Sequence, residues 1–280
     1  MIAKYLRFPG GKAKALTFSY DDGVEQDVRL VEIFRKYGMR ATFNINAGQF
    51  SAEGTVHPEG KIHRRMTEKQ VRSTYTEDVC EVACHTYNHP MLTDCASATV
   101  VDQVISDRKA LEGLFGRQIH GMAYPFGPTD DRVVQCLKDC DIWYSRTVES
   151  TEKFNMPKDW LRLPATCHHR NPRLMELAQQ FLDLQVNKHG PKLFYVWGHA
   201  YEFEEKDNWN VIEEFCEKMA GKEDIWYCTN MELYLAWRDY TRLESSADGH
   251  LIHNPSPRTV WIADSQNKVY KIGPGETITV

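Results

Sequence analysis

The sequence predicts an α/β fold built round a largely parallel sheet, with a small β-rich appendix at its C-terminal end, on three observations. Short apolar runs alternate with segments of helical period along most of the chain, which is the pattern of repeated βα units. The 280 residues exceed by a short remainder the roughly 200 to 250 that one α/β barrel takes. From about Thr241 the character shifts to brief β-prone runs broken by Asn254-Pro255, Pro257 and Gly273-Pro274-Gly275. The expected division is therefore a barrel over residues 1–240 and an appendix over residues 241–280.

The strands expected in order cover residues 15–20, 41–45, 79–84, 120–124, 142–146 and 193–198, each an apolar, β-branched or aromatic run of strand length. Helices are expected over 26–36, 67–75, 97–115, 130–140, 172–188, 209–220 and 231–239. Thr67 with Gln70 three residues on reads as a capping box, Asp130 as an N-cap, and Gly38 as a helix stop. In the appendix, 260–262, 269–272 and 277–280 are the β-prone runs.

Lysine and arginine total 34 against 39 aspartates and glutamates, a net charge of −5 with no basic run. That balance argues against a nucleic-acid partner. No stretch of about 18 apolar residues encodes a membrane span, and the N-terminal residues lack the apolar core of a secretory signal. The eight cysteines are scattered, with no CxxC pair, and read as reduced core residues of a cytoplasmic enzyme.

In parallel α/β folds ligands bind at the carboxyl ends of strands, so motifs placed there carry most weight. Thr17 to Gly23 ends a strand on Asp21 and Asp22, whose side chains diverge, so that one can hold a metal while the other meets water. Alone, Asp-Asp-Gly is better read as a polar turn capping the next helix. His85 and His89, four apart after the strand at 79–84, suit two nitrogen ligands of one metal on a single turn or loop limited by Pro90. Alone, they read more simply as core or surface histidines.

Tyr124-Pro125-Phe126-Gly127 ends another strand; its amides can face an oxyanion and its rings can wall a pocket, or it is only a rigid turn. His199, just past the strand at 193–198, suits a proton donor near neutral pH, with Glu202 as a substrate or orienting contact, although alone it reads more simply as a structural hydrogen-bonding residue.

In their order, these four pieces resemble the motifs of the polysaccharide deacetylase family, also called carbohydrate esterase family 4 or the chitooligosaccharide deacetylase homology domain. The resemblance runs from about Leu16 to Tyr240. It implies a distorted, incomplete (β/α) barrel of about seven strands, with Asp21 as general base, His199 as general acid, and Asp22, His85 and His89 as ligands of one divalent metal. Zinc is the usual metal, with cobalt or nickel as alternatives. The implied reaction is hydrolysis of an N-acetyl group on a sugar or oligosaccharide, with water attacking the amide.

The sequence departs from the family at Ala123, where many members have an arginine that holds the catalytic aspartate. Arg146, ending the strand at 142–146, is the first candidate to replace it and Arg162 the second; either reads equally as a surface ion pair. The usual fourth motif is not recognisable, although Asp159-Trp160 can be read as a displaced version, placing Trp160 at the substrate. Cys167-His168-His169 reads as pocket lining before metal binding, because adjacent side chains seldom chelate one ion together.

These departures suggest a divergent bacterial subgroup. They leave two other functions open: hydrolysis of another non-peptide C–N bond, such as a cyclic imide or ureide, at the same site, or carbohydrate binding by a catalytically impaired protein.

Overall fold

Alternation along β2 (Lys14–Asp21) sets the layers. Leu16, Phe18 and Tyr20 face the surrounding helices and join the main apolar core, while Thr17, Ser19 and Asp21 make polar contacts inside the barrel. The computed structural model describes residues 4–186 and 190–280. After β1 (Tyr5–Arg7) and β2 come α1 (Asp27–Tyr37), β3 (Ala41–Ile45), α2 (Glu68–Thr74), β4 (Cys80–Cys84) and α3 (Ser97–Phe115). Then follow β5 (Gly121–Ala123), α4 (Asp131–Asp139), β6 (Tyr144–Ser150), β7 (Leu163–Ala165), β8 (Cys167–His168), α5 (Leu174–Asp183) and β9 (Lys192–Gly198). The barrel ends with α6 (Tyr201–Glu205), α7 (Asn210–Met219), β10 (Ile225–Tyr227) and α8 (Asn230–Thr241).

The strands order as β7-β6-β5-β4-β3-β2-β9-β8, with β10 beside β2, and their pairings are parallel. This is a distorted α/β barrel. Its ladder is interrupted between the end strands β7 and β8, which the chain itself joins through Thr166; the Thr166 N–H donates to Tyr195 O at 2.8 Å.

Helix ends follow local chemistry. Thr67 and Gln70 form the reciprocal capping box, the Asp130 side chain accepts from Val133 N–H at 2.7 Å, and Gly38 closes α1 in the left-handed region at φ 67°.

Several elements differ from expectation. The run at 142–146 becomes β6, beginning at Tyr144, because pairing with β5 starts at Gly121↔Tyr144; partner register, and not apolarity, sets a strand's ends. β7 and β8 are too short to show a period, and β7 contains Pro164, which a sequence reading demotes. The helix expected over 172–188 ends at Asp183, and residues 187–188 lie outside the described residues.

C-terminal to α8 stand β11 (Glu244–Ser245), β12 (Leu251–His253), β13 (Val260–Ala263), β14 (Val269–Ile272) and β15 (Thr277–Thr279). They form two antiparallel sheets, β1-β13-β14 and β11-β12-β15. The first draws β1 from the other end of the chain. Arg258 anchors this layer to α8 through Asp239, at 2.6 and 3.0 Å.

Candidate active site

The carboxyl ends of β2, β4, β5 and β9 deliver Asp21, His85, Ala123 and Gly198 to one mouth, so motifs far apart in sequence become neighbours. Asp21, the last residue of β2, points inward. Asp22 follows with φ 87°, a left-handed conformation uncommon for a residue with a side chain.

Specific bonds hold that turn. Asp22 N–H donates to Asn44 O at 2.9 Å. Arg65 donates to the Asp22 carbonyl, and its Nη2 donates to Asp22 Oδ1 at 3.0 Å. His63 Nε2 lies 3.1 Å from Oδ2. The segment carrying Arg65 is zipped beside the turn by Glu25 N–H to Arg64 O (2.8 Å) and Met66 N–H to Gly23 O (3.0 Å). Burial alone would raise the Asp22 carboxyl; His63 and Arg65 hold it well below the usual carboxylate range.

His85 and His89 converge through a bend with Thr86 and His89 both at positive φ, 64° and 58°, and not through a helical turn. Their Nε2 atoms stand 3.1 Å apart, and lie 4.0 and 3.9 Å from Asp22 Oδ1. The donor chemistry fits a divalent cation. His85 Nδ1 lies 2.8 Å from Ala123 O and so carries the hydrogen, which leaves a lone pair on Nε2. Burial also pushes both imidazoles down, His89 to about 4, so the rings are in the neutral, ligating form.

Beside this cluster, Arg146 is fully buried and ion-paired with Asp21. Its Nε donates to Ser19 Oγ at 3.1 Å and its guanidinium lies 4.5 Å from the centre of the Trp197 ring. Asn44 Nδ2 donates to the other Asp21 oxygen at 2.9 Å. Burial would raise the Asp21 carboxyl, but Arg146, with His85 and His199 adding, lowers it, so Asp21 stands ionised and fixed. His199 Nε2 lies 3.9 Å from Asp21 Oδ2. Burial would lower that imidazole, yet Glu202, Asp21 and Asp22 outweigh it and raise its pKa.

The remaining residues singled out in the sequence separate. Phe126 is exposed and packs its ring against His89, centroids 4.6 Å apart. His168 packs on Trp197 at 4.5 Å and lies 3.2 Å from Glu202. Tyr124 and Pro125 are buried, and the Tyr124 hydroxyl donates to Leu161 O at 2.6 Å; the Tyr124 ring is a strut, which corrects its reading as a pocket wall.

Trp160 and Arg162 also need correction. Trp160 is buried against Tyr234 and Trp237, and Arg162 pairs with Asp159 and Asp131. β6 runs on to Ser150 before the chain returns, and the return carries this turn onto α8 and α4 instead of to Asp21. Arg65, His63 and Asn44 escaped the sequence reading. Only the positions of Arg64 and Arg65 in a polar loop hinted at them, and a polar loop has many innocent explanations.

A family model described as polysaccharide deacetylase matches residues 7–145. Among solved structures, one from Mycobacterium smegmatis assigned to the polysaccharide deacetylases is 16% identical at a TM-score of 0.61, over 86% of this chain and 96% of that one. A family 4 carbohydrate esterase from Streptomyces lividans, in complex with acetate, is 15% identical at a TM-score of 0.51, over 76% of this chain and 91% of that one. A Streptococcus pyogenes deacetylase, also in complex with acetate, is 19% identical at a TM-score of 0.46; the match covers 52% of this chain and spans only 61% of that one. No curated protein matches. At these identities the solved structures establish likeness of fold.

Proposed function

The chain belongs to the polysaccharide deacetylase family, and on that premise we propose that it is a metal-dependent hydrolase removing an N-acetyl group from an N-acetylated sugar or oligosaccharide. One observation carries this reading: Asp22 Oδ1, His85 Nε2 and His89 Nε2 lie within 4.8 Å of one another, next to a second, arginine-held carboxylate and a histidine.

Asp22, His85 and His89 would hold the metal, which supplies Lewis acidity toward the amide carbonyl and the attacking water. Three protein donors leave room for substrate, as in catalytic rather than structural sites. Asp21 takes the proton of the attacking water, and Arg146 keeps it ionised and aimed. His199 gives a proton to the departing nitrogen as the C–N bond breaks, so acetate and a free amine leave. The exposed Phe126 ring offers a platform for the apolar face of a sugar.

The test is acetate release from N-acetylated mono- and oligosaccharides by metal-stripped protein, before and after addition of zinc, cobalt or nickel. Restoration by one of these metals is the expected result. Equal activity without metal would overturn the metal role, and turnover of a cyclic imide or ureide with no acetate from any sugar would move the substrate class.

A further inference from the structure

We propose that Glu202 is the positioning residue of His199, and that His168 and His169 serve this carboxylate instead of a second metal ion. The inference rests on the reading of His199 as proton donor.

His168, His169 and Glu202 offer donor atoms within 4.8 Å of one another, a second cluster of metal-binding size. The hydrogen bond at His168 argues against a cation there. Arg170 N–H donates to His168 Nδ1 at 3.1 Å, so the neutral ring carries its hydrogen on Nε2, which lies 3.2 Å from Glu202 Oε2. A nitrogen that carries a hydrogen has no lone pair for a metal and donates to the carboxylate.

His169 Nε2 lies 3.2 Å from the same oxygen. That ring is held between Phe203 and Tyr20, at centroid distances of 4.1 and 5.7 Å. Gly198 makes the space: a Cβ there would sit 2.0 Å from His169 Nδ1. Arg170 Nη1 donates to Glu202 Oε1 at 3.2 Å. The carboxylate is thus nearly buried and fixed from several sides.

Glu202 also faces His199. The His199 backbone N–H donates to Glu202 Oε2 at 3.3 Å, and His199 Nδ1 lies 3.6 Å from it. Nδ1 is buried and makes no hydrogen bond among the described residues. A fixed negative charge beside Nδ1 favours the ring form with hydrogen on Nδ1, and the imidazolium over the neutral ring. Nε2 is thereby left facing Asp21, where the leaving nitrogen must be protonated.

The charged and titratable groups facing His199 are Asp21 at the end of β2 and Asp22 after it, Tyr201 and Glu202 from α6, and His168 of β8 with His169 after it. Among these groups of the described residues, Glu202 is the one at Nδ1.

The experiment compares the zinc-loaded wild type with Glu202→Gln and Glu202→Asp, using histidine-selective 15N NMR together with kinetics. Nδ1 protonation of His199 is expected in the wild type and a shift toward Nε2 protonation in Glu202→Gln. For an N-acetylated substrate kcat should fall roughly 100-fold with KM nearly unchanged, and the alkaline limb of the rate profile should move to lower pH. Glu202→Asp should restore part of each, and it carries the same readouts if Glu202→Gln does not fold. An unchanged His199 tautomer and pH limb in Glu202→Gln would overturn the proposal, as would a second zinc equivalent bound by the wild type and lost in that variant. The NMR reading needs no turnover, so a wild type that releases no acetate would defeat the deacetylase reading alone.

Discussion

Arg146 of β6 meets Asp21 of β2 inside the barrel, although β5, β4 and β3 stand between their strands in the sheet. Closure of the sheet makes this pair; strand order alone would hold the two residues apart. Arg146→Met leaves a buried carboxylate unpaired, which costs on the order of 3–5 kcal/mol and removes the group that keeps Asp21 ionised. Urea unfolding should show that loss and acetate release should drop at least roughly 100-fold. A variant with unaltered stability and turnover would show that the pair does neither job.

Arg65 and His63 hold both oxygens of Asp22, and Arg65 also holds its strained backbone. Outer partners of a metal ligand are worth about 10- to 100-fold in affinity. Arg65→Ala should therefore weaken zinc binding by that order in calorimetry, with one site per chain retained. Unchanged affinity would mean that the turn holds itself.

Phe126 is 57% exposed, so its ring is free to stack on a ligand. Phe126→Ala should raise KM for an N-acetylated oligosaccharide about tenfold, the effect of roughly 1.4 kcal/mol of lost contact, and leave kcat within a factor of two or so. A loss confined to kcat would contradict a platform role.

Asp27 in α1 is fully buried, bonded by Tyr75 Oη–H at 2.5 Å, and burial pushes its carboxyl up to about 8. Its folded pKa lies above the unfolded value of about 3.9. Its contribution to stability is thus whole at acid pH and lost progressively as pH rises from about 4 through about 8. Asp27→Asn does not titrate, so in urea unfolding its stability relative to the wild type should rise by a few kcal/mol between pH 5 and pH 8.5. An equal difference at both pH values would refute the assignment.

Long periodic elements were legible because their signals are local. α3 spans Ser97–Phe115 and β3 spans Ala41–Ile45, as the residue pattern predicts. β7 and β8 escaped because two or three residues show no alternation, and α6 because its five residues barely exceed one helical turn. α6 is the costly omission, since it carries Glu202.

By itself the sequence determined the α/β class and the placing of Asp21, Asp22, His85, His89 and His199 at strand ends, because a motif's residues share one short stretch of backbone. Only the tertiary structure decided that Arg146 and not Arg162 reaches Asp21, that Arg65 clamps Asp22, and that His169 backs Glu202. Those contacts join residues 125, 43 and 33 positions apart. They depend on the curvature that closes the barrel and on how loops dock at its mouth, which no local pattern of residues encodes.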